Sequence, residues 1–400
     1  MVVMAALCAA CGACGDNLSG NAPDVEPATA LFVTAHLDDD MIFMQPELMD
    51  ALSRGSSTTI YVTSGDPRGH DHARKRFHAA MAAYRRVTGT RDWHCGHLEI
   101  NGLAFHHCRL LERGISLIAL DVPDGGRHGE MPDNLVHLVE QSETSLPLHG
   151  ERGGRITSSQ LIAELVALIE ATAPAELHVL DFTGTHGDDH PDHMMAASFA
   201  LWAVARSHYR GPIIAHRGYN VEVEPPTLSD DDYARAQPML GAFEACYAGC
   251  GPCGTVCSVL DRAHDTWLRR QYSTRLDYPT GRLAAQDAPG RCLVVRDGAA
   301  VLDDCASPDA VMLDATGHLR AGAVCLTSGL GNDDPLVVTA CDDAPGQLWL
   351  IDGEGGVWNG RPPAAIVDMT FDHTRCLASD PVAAPVCGSR RAPRWVVMPN

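Results

Sequence analysis

Two short segments of the chain carry the side chains best suited to chemistry. In the hexapeptide AHLDDD (residues 35–40), His36 and Asp39 lie three residues apart, and the two histidines of HPDH, His190 and His193, have the same spacing. Two imidazoles and one carboxylate form a three-ligand metal site whose fourth position can hold water, as in catalytic zinc sites. Zinc lowers the pKa of a bound water and polarises a carbonyl, so this set predicts metal-assisted hydrolysis.

The elements around these segments must bring them together. Short apolar runs, ALFVTAH (residues 30–36) and ELHVLDF (residues 176–182), precede the two segments and predict strands buried on both faces. Pro191 suits the first turn of a helix, so HPDH predicts a helix start. Because the carboxyl ends of strands in parallel α/β sheets host ligands, we expect both segments at one edge of a sheet.

Further elements between the two segments define the fold class. The stretch STTIYVTSG (residues 57–65) predicts another strand, and residues 73–89 predict a helix. Residues 158–174 predict an amphipathic helix that Ser158 or Ser159 caps. Strands that alternate with helices predict an α/β domain, a Rossmann-like, mostly parallel sheet with helices on both faces.

The motifs resemble those of a known family. AHLDDD resembles the AHPDDE signature of the LmbE/PIG-L deacetylases, HPDH resembles their second motif, and DDDMIFMQP is close to the DDDLLFMNP of one subgroup. The resemblance continues through TSGD, RFHAAMAAYRRVTG and DVPDGG, and covers roughly residues 29–275. It implies zinc-dependent hydrolysis of an N-acyl amide, above all deacetylation of an N-acetylglucosamine-type sugar or glycan.

The same resemblance implies a role for each motif residue. It implies a Zn²⁺ ion bound by His36, Asp39 and His193. Asp38 matches the general base, and His190 matches the histidine that stabilises the oxyanion and donates a proton. Asp192 matches the carboxylate that orients and charges His190, and Arg76 matches a substrate-binding arginine. Some family members have a tyrosine two residues before the first histidine of HPDH, where this chain has Asp188.

Simpler interpretations exist for each segment alone. Residues 38–40 could form a helix N-cap cluster, and HPDH could be the start of a surface helix. The two motifs occur together and in the family's order, which favours the metal site. We interpret His186 as a solvated loop residue, and we expect surface or rim positions for four further histidines, His70, His72, His106 and His107.

The character of the chain changes after about residue 285. Three similar segments begin with Cys-Leu and close with a second cysteine one hairpin later, and their cysteines are Cys292 and Cys305, Cys325 and Cys341, and Cys376 and Cys387. A threefold repeat of about 40 residues is typical of a small symmetric fold. The 400 residues therefore predict two domains, residues 29–285 and 286–400, after a first segment at residues 1–28.

The second domain resembles the ricin-type β-trefoil. One Gln-x-Trp motif is intact at Gln347 and Trp349, while Met312 replaces the tryptophan of the first repeat and Pro393 the glutamine of the third. The resemblance implies an all-β, β-trefoil-like domain with a carbohydrate ligand. The sugar-contacting aspartates of that family are replaced by Val294, Thr327 and Ala378. A disulfide-stapled accessory domain without a ligand is therefore the alternative.

The cysteines indicate an oxidising compartment. The chain has 15 cysteines, which is unusual for a cytosolic protein that binds no metal through them. The cluster CYAGCGPCGTVC (residues 246–257) could be a zinc knot or two local disulfides, and the compartment favours disulfides. Cys95 and Cys108 are expected to form another pair. The apolar, cysteine-rich start of residues 1–28 resembles a signal peptide or a bacterial lipoprotein signal, which predicts a secreted or cell-surface protein.

Charge and hydrophobicity limit the partners. The formal net charge of −21 repels phosphate backbones, so nucleic acid is not expected as a partner. Membrane attachment is expected only through a lipid anchor at the N-terminus. Two alternatives to the deacetylase remain, a non-catalytic carbohydrate-binding surface protein and an amidohydrolase that acts on a non-sugar N-acyl amine.

Overall fold

The structure is a computed structural model. It describes residues 23–140, 143–182, 186, 189–277, 280–314, 316–328, 336–342, 345–352, 355–359, 377–379, 382–383 and 394–398.

Eight α-helices lie in the first two thirds of the chain as described. They are α1 (Asp39–Phe43), α2 (Glu47–Arg54), α3 (His70–Thr88), α4 (Leu135–Glu140), α5 (Ser158–Thr172), α6 (Pro191–Arg206), α7 (Asp230–Tyr247) and α8 (Arg262–Leu268). Short 3₁₀ helices span Leu111–Arg113, Tyr219–Val223 and Pro345–Gln347.

The strands fall into a large sheet, a second sheet and two small hairpins. The first ten strands are β1 (Ala30–Thr34), β2 (Ser57–Thr63), β3 (His94–Ile100), β4 (Leu103–Leu110), β5 (Ile115–Val122), β6 (Leu146–Pro147), β7 (Arg155–Ile156), β8 (Glu176–Leu180), β9 (Ile213–His216) and β10 (Ser273–Asp277). The later strands are β11 (Gly281–Ala285), β12 (Arg291–Arg296), β13 (Ala299–Asp304), β14 (Met312–Leu313), β15 (Leu319–Ala321), β16 (Val324–Thr327), β17 (Val337–Ala340), β18 (Trp349–Asp352), β19 (Val357–Asn359), β20 (Ala378–Ser379), β21 (Val382–Ala383) and β22 (Trp395–Met398).

The large sheet is mixed rather than mostly parallel. Its strand order is β19-β18-β10-β9-β8-β1-β2-β5-β4-β3. The five central strands, from β9 to β5, pair in parallel, and the strands on either side of them pair antiparallel. The sequence patterns predicted three of these central strands, β1, β2 and β8, whereas β5 and β9 were not predicted. The outer strands differ because β3, β4 and β5 follow one another through short connections, which allow antiparallel pairing.

Burial explains why the central strands are continuously apolar. Every residue of β1, β2 and β5 is buried, so these strands have no solvent-facing side to alternate with. Leu161, Leu165 and Leu168 of α5 are completely buried and belong to the same core cluster as β1 and β2. The predicted α/β architecture of the first domain is thus present as a mixed sheet with helices.

The ends of two predicted helices can be compared with the structure. Helix α3 ends at Gly89, whose left-handed backbone (φ of 73°) directs its N–H to the carbonyl of Arg85. Helix α5 is capped by Thr157, one residue before the predicted Ser158 or Ser159. The side chain of Thr157 accepts a hydrogen bond from the backbone N–H of Gln160, and the side chain of Gln160 accepts one from the backbone N–H of Thr157.

The second sheet has eight strands, all paired antiparallel. Its order is β13-β12-β11-β14-β15-β16-β17, and β22 also pairs with β11. Strand β11 therefore belongs to this sheet, which begins at Gly281, five residues before the predicted boundary. In turn β18 and β19, from the predicted second domain, extend the edge of the large sheet at β10.

Two of the predicted repeats each contain an equivalent hydrogen bond from a tryptophan. The buried indole of Trp349 donates from Nε1 to the carbonyl of Leu326, and that of Trp395 donates to the carbonyl of Leu377, each over 2.9 Å. Both leucines follow the first cysteine of their repeat. The tryptophans therefore have equivalent places in the second core.

The described cysteine pairs are disulfides. The bonds are Cys95–Cys108, Cys246–Cys253, Cys250–Cys257, Cys292–Cys305 and Cys325–Cys341. The cluster at residues 246–257 is thus two interleaved disulfides and not a zinc knot. Cys376 and Cys387 lie outside the described residues, as does most of the segment at residues 1–28. None of the helices that the structure describes combines the length and hydrophobicity needed to cross a bilayer.

Candidate active site and metal centre

The candidate site lies at the carboxyl edge of the parallel strands. His36 follows β1 by two residues, and Asp124 follows β5 by two residues. The segment after β8 leads to His190 and to helix α6, which begins at Pro191. The side chains of both motifs therefore meet at one place, as the parallel strands require.

Three of these side chains converge on one point. His36 Nδ1 lies 3.3 Å from Asp39 Oδ1 and 3.1 Å from His193 Nε2, and His193 Nε2 lies 3.2 Å from Asp39 Oδ1. All three residues are buried. Ligands at 2.0–2.1 Å from a tetrahedral zinc are about 3.3 Å apart, so this triangle has the dimensions of one face of such a site. The donor set and its spacing fit a divalent metal ion.

The electrostatics of the triangle also fit a cation. Burial opposes charge on His36, yet Asp39, Asp192 and Asp124 together raise its pKa well above the usual value. Burial likewise opposes charge on His193, but Asp39 and then Asp189 raise its pKa to about 9. The carboxylates therefore attract positive charge to this point, which a metal would supply in place of protons on the imidazoles.

Asp189 orients one of the three donors. Its Oδ1 lies 2.8 Å from His193 Nδ1 and accepts the backbone N–H groups of His190 and Tyr219 at 2.7 and 3.0 Å. A Cβ on Gly218 would lie 2.5 Å or less from this carboxylate and from His193, so only glycine fits there. Sequence reasoning missed Asp189, although it directly precedes the HPDH motif.

Asp192 lies between two histidines. Its Oδ2 is 3.6 Å from His36 Nε2 and 3.9 Å from His190 Nδ1, and it accepts the backbone N–H of Gly125 at 2.9 Å. Asp124, the other missed residue, also faces His36 Nε2, at 3.5 Å. The predicted partner of His190 is thus closer to His36 than to His190. Both carboxylates face His36 Nε2, which has no hydrogen-bond partner among the described residues.

His190 has a defined tautomer. As the N-cap of α6, its Nδ1 accepts the backbone N–H of Asp192 at 3.1 Å, so the ring hydrogen is on Nε2. Burial, followed by the nearby His36 and His193, lowers the pKa of His190 well below its usual value. His190 is therefore a neutral hydrogen-bond donor at the edge of the triangle.

The carboxylate of Asp38 does not cap helix α1. It is the N-cap residue of α1, but its side chain makes no capping hydrogen bond. Its Oδ1 instead accepts a hydrogen bond from Arg76 Nη2 at 2.6 Å, and Arg76 Nη1 donates to the carbonyl of Gly65 at 2.7 Å. The guanidinium lies 4.9 Å from the ring centre of Tyr247. The predicted substrate-binding arginine therefore contacts the predicted base.

Asp40 connects the first motif to the protein core through hydrogen bonds. It is completely buried and accepts hydrogen bonds from the hydroxyls of Tyr61 and Tyr84 at 3.1 and 2.6 Å. Burial raises the pKa of Asp40 to about 7. Since Tyr61 lies on β2 and Tyr84 on α3, this network ties the start of α1 to two neighbouring elements.

An aromatic wall borders the triangle. The ring of Tyr219, from a 3₁₀ helix, lies 4.8 Å from that of His193, and the ring of Trp267 lies 4.4 Å from Tyr219. The ring centre of Phe43, in α1, lies 5.5 Å from that of Tyr219 and 6.1 Å from that of Trp267. Neither Tyr219 nor Trp267 was singled out from the sequence, because no pattern in the chain shows that their segments return to this edge.

The remaining predicted positions are mostly peripheral. His186 is exposed, and Asp188 lies outside the described residues. His70 is exposed, and His72 and His106 are partly exposed. The expectation for His107 was wrong, because this residue is buried, with its Nε2 3.3 Å from Ser116 Oγ. Neighbouring residues of a strand point to opposite faces, which separates His107 from His106.

Comparison with known proteins agrees with the site. The family model described as "PIG-L: GlcNAc-PI de-N-acetylase" matches residues 31–204, which include the complete triangle. A comparison with curated protein sequences gave no match.

Solved structures give distant likenesses. GalB, the 4-carboxy-2-hydroxymuconate hydratase from Pseudomonas putida KT2440, is 15% identical, with 60% of this chain and 83% of that chain covered and a TM-score of 0.35. The conserved protein TT1542 from Thermus thermophilus is 15% identical, with 55% and 79% covered and a TM-score of 0.30. A non-toxic homologue of type II RIPs from Momordica charantia, solved with α-methyl-D-galactoside, is 14% identical, with 32% and 52% covered and a TM-score of 0.20.

Proposed function

Since residues 31–204 form a PIG-L family domain, we propose that the protein is a metal-dependent N-deacetylase. Its reaction is hydrolysis of an N-acyl amide, and its substrate is the acetamide of an N-acetylglucosamine-type sugar or glycan. The observation that carries this proposal is the triangle of His36, Asp39 and His193, whose donor atoms lie 3.1–3.3 Å apart.

Zinc is the metal that we propose for the triangle. Two imidazoles and one carboxylate are a known donor set for catalytic zinc, with one position left for water or substrate. When bound, the ion would supply Lewis acidity and a water of lowered pKa. The protein's part is to place the donors. Asp189 lies 2.8 Å from the far nitrogen of His193, and the backbone N–H of His36 donates to Asp39 at 2.6 Å. Asp192 and Asp124 face the far nitrogen of His36 at 3.6 and 3.5 Å.

Asp38 is proposed as the base that accepts the proton of the attacking water. Its carboxylate makes no cap, and the hydrogen bond from Arg76 orients it. His190 is proposed to donate a hydrogen bond from Nε2 to the developing oxyanion. The tautomer that the backbone N–H of Asp192 imposes supports this assignment. The proton that Asp38 has accepted from the water then passes to the leaving amine as the C–N bond breaks.

The deciding experiment measures acetate release by the zinc-loaded full chain from N-acetylated sugars, oligosaccharides and non-sugar N-acetyl amines. We expect turnover of the sugars, and its loss in His36→Ala. His208→Ala is the matched control, since this side chain is 97% exposed and lies outside the site. Turnover confined to non-sugar amines would replace the substrate class. A zinc-loaded protein that releases no acetate from any substrate would refute the enzyme and favour a carbohydrate-binding role.

For residues 286–400 we propose a β-trefoil-like accessory domain. The equivalent indole hydrogen bonds of Trp349 and Trp395 support an internal repeat. Val294 and Thr327 stand at positions of the sugar-contacting aspartates and have no carboxylate. Val294 is buried, and the hydroxyl of Thr327 bonds to that of Thr339. A glycan array with the His36→Ala full chain tests for a carbohydrate ligand. Binding that persists in this variant would assign one to the domain, and no binding would leave it a structural domain.

We also propose that the protein is secreted or held at the cell surface. Five disulfides among the described cysteines need an oxidising compartment to form and persist. Fractionation of the producing cells, with mass spectrometry of the intact N-terminus, would show whether a signal is cleaved or a lipid is attached. Reduced cysteines in cytosolic protein would refute this location.

A further inference from the structure

A pocket lies between the end of helix α3 and helix α7, away from the metal-binding triangle. Its volume is about 170 Å³, and its walls come from α3, the loop after it, α7 and the loop closed by the disulfides Cys246–Cys253 and Cys250–Cys257. Pockets that enclose a whole drug-sized ligand measure about 300–1,000 Å³. The size therefore suits one small group with a few water molecules, since each water takes about 30 Å³.

Among the described residues, three arginines line this pocket and no acidic residue does. The lining consists of Arg85, Arg86 and Arg91 together with Ala82, Gly89, Ala242 and Gly254. Within the described part of the chain, none of the three guanidinium groups forms an ion pair or a hydrogen bond. This is unusual in a chain with 30 basic and 51 acidic side chains, where arginines such as Arg68, Arg217 and Arg235 pair with carboxylates.

The end of helix α3 does not account for all three arginines. Thr88 is the last residue of α3, and its carbonyl already accepts a hydrogen bond from Arg113 Nη2 at 3.0 Å. Arg85 and Arg86 lie in the last turn, where cations commonly counter the negative end of the helix dipole. Arg91 lies beyond the helix, so the dipole does not explain why a third guanidinium lines the same pocket.

The disulfide-closed loop places a glycine against Arg85. A Cβ on Gly254 would lie 3.2 Å from Arg85 Nη2, and the φ of Gly254 is 100°, so glycine suits this position on both counts. Arg85 is half-buried there, whereas Arg86 and Arg91 are exposed. A side chain that is already confined loses less freedom when it binds a ligand. Asp92, the acidic residue next to Arg91 in the chain, is exposed and is not part of the lining.

We propose that this pocket is an anion site that binds a phosphate or sulfate group through Arg85, Arg86 and Arg91. A guanidinium presents its N–H donors in a planar fork and binds such oxyanions through paired, charge-assisted hydrogen bonds. Three of these groups around one concave surface attract a dianion locally, although the net charge of the chain is −21. The group can be a free ion or part of a phosphorylated or sulfated sugar, since the arginines contact only its oxygens.

The anion site is separate from the proposed deacetylase centre. Arg85 follows Arg76 by nine residues on α3, which corresponds to about 14 Å along the helix axis. No residue of the described lining belongs to the triangle of His36, Asp39 and His193. Anion binding at the pocket therefore needs neither a metal ion nor turnover, and it goes beyond the proposed function.

Isothermal titration calorimetry on the full chain tests the site. The protein is first stripped with a chelator, because phosphate would also bind a metal ion in the triangle. The ligands are inorganic phosphate, sulfate and glucose 6-phosphate, with glucose as the neutral control, and we expect only the three anions to bind. Arg85→Gln/Arg91→Gln should weaken phosphate binding about 100-fold, since each lost charge-assisted contact costs roughly tenfold. Arg152→Gln, which removes an exposed arginine elsewhere, should bind phosphate as the wild type does.

A second variant leaves every arginine in place. Ala82→Glu puts a carboxylate into the lining and should abolish phosphate binding, while thermal unfolding confirms that the variant folds. A wild type that binds none of the three anions would overturn the proposal, as would unchanged affinity in Arg85→Gln/Arg91→Gln or in Ala82→Glu. Tighter binding of glucose 6-phosphate than of inorganic phosphate would assign the site to a phosphorylated sugar, and equal binding would assign it to the free ion.

Discussion

The imidazole of His193 is held from both sides. Its Nε2 faces His36 and Asp39, and its Nδ1 faces Asp189 at 2.8 Å. The carboxylate fixes the tautomer that presents a lone pair at Nε2 and makes this nitrogen a stronger donor. Asp189 is therefore a positioning residue, which acts on the metal through His193.

Asp189→Asn should weaken zinc binding by about 10–100-fold, because the neutral amide orients His193 less firmly and lends it no charge. The affinity is measured by competition with a zinc-binding dye, in parallel with Asp231→Asn, an exposed carboxylate in the first turn of α7. Equal affinity in the two variants would show that Asp189 has no effect on the metal.

Arg76 has two competing roles that kinetics can separate. The sequence resemblance implies that it binds substrate, whereas the structure places its guanidinium 2.6 Å from Asp38 Oδ1. If it positions the base, Arg76→Gln should lower kcat by about 10²-fold, as expected for a misplaced catalytic group, with KM nearly unchanged. A raised KM with unchanged kcat would instead assign Arg76 to the substrate.

The sequence predicted that His36, Asp39 and His193 would meet, and the structure brings them together. The prediction was available because both motifs directly follow buried strands of one parallel sheet. Asp124 and Asp189 were not foreseen as neighbours of these rings, because their positions depend on the paths of irregular loops. The catalytic roles themselves stay predictions until activity is measured.

At the scale of elements, helix α5 contains a buried carboxylate. Glu164 is completely buried, one oxygen accepts a hydrogen bond from Asn101 at 3.2 Å, and the other has no partner among the described residues. Burial raises the pKa of Glu164 to about 7. The folded protein therefore binds more protons than the unfolded chain between about pH 4.5 and 7, and folding stability falls as pH rises through this window.

Glu164→Gln should remove the loss of folding stability at high pH. At pH 8 the variant should be more stable than the wild type by roughly 1–3 kcal/mol, because it buries no charge. At about pH 4.5 the two should unfold alike, since the carboxyl is then protonated in the folded protein. Urea unfolding at both pH values measures the difference, and a pH-independent gain would contradict the assignment to ionisation.

Regular elements were more predictable than their ends and partners. Strands β1, β2 and β8 and helices α3 and α5 follow from continuous apolar runs and from helical periodicity. The cap of α5 was misplaced by one residue because Thr157, Ser158 and Ser159 are all good capping residues. Strands β18 and β19 could not be assigned to the large sheet from the sequence. The pairing of β18 with β10 joins residues more than 70 positions apart, and β19 follows β18 into the sheet.

At the scale of the whole molecule, the two sheets exchange strands at their border. The large sheet ends in β18 and β19, whose sequence lies among the repeats of the second sheet. Trp349 begins β18 and is at the same time buried in the second core. The predicted division at residue 285 therefore does not separate two independent sheets, because the later residues complete the edge of the earlier one.

A chain that ends at residue 285 should for this reason be a poor independent domain. It would expose the backbone of β10, which loses β18, and leave β11 without its partners β12, β14 and β22. Unpaired strand edges promote association between chains. We expect this shortened protein to self-associate in size-exclusion chromatography with light scattering, and to unfold at a lower temperature than the full chain.

A second version that ends at residue 280 removes β11 and isolates the contribution of β10. Monomeric protein with an unchanged unfolding temperature in both versions would show that the large sheet needs nothing from the residues beyond it.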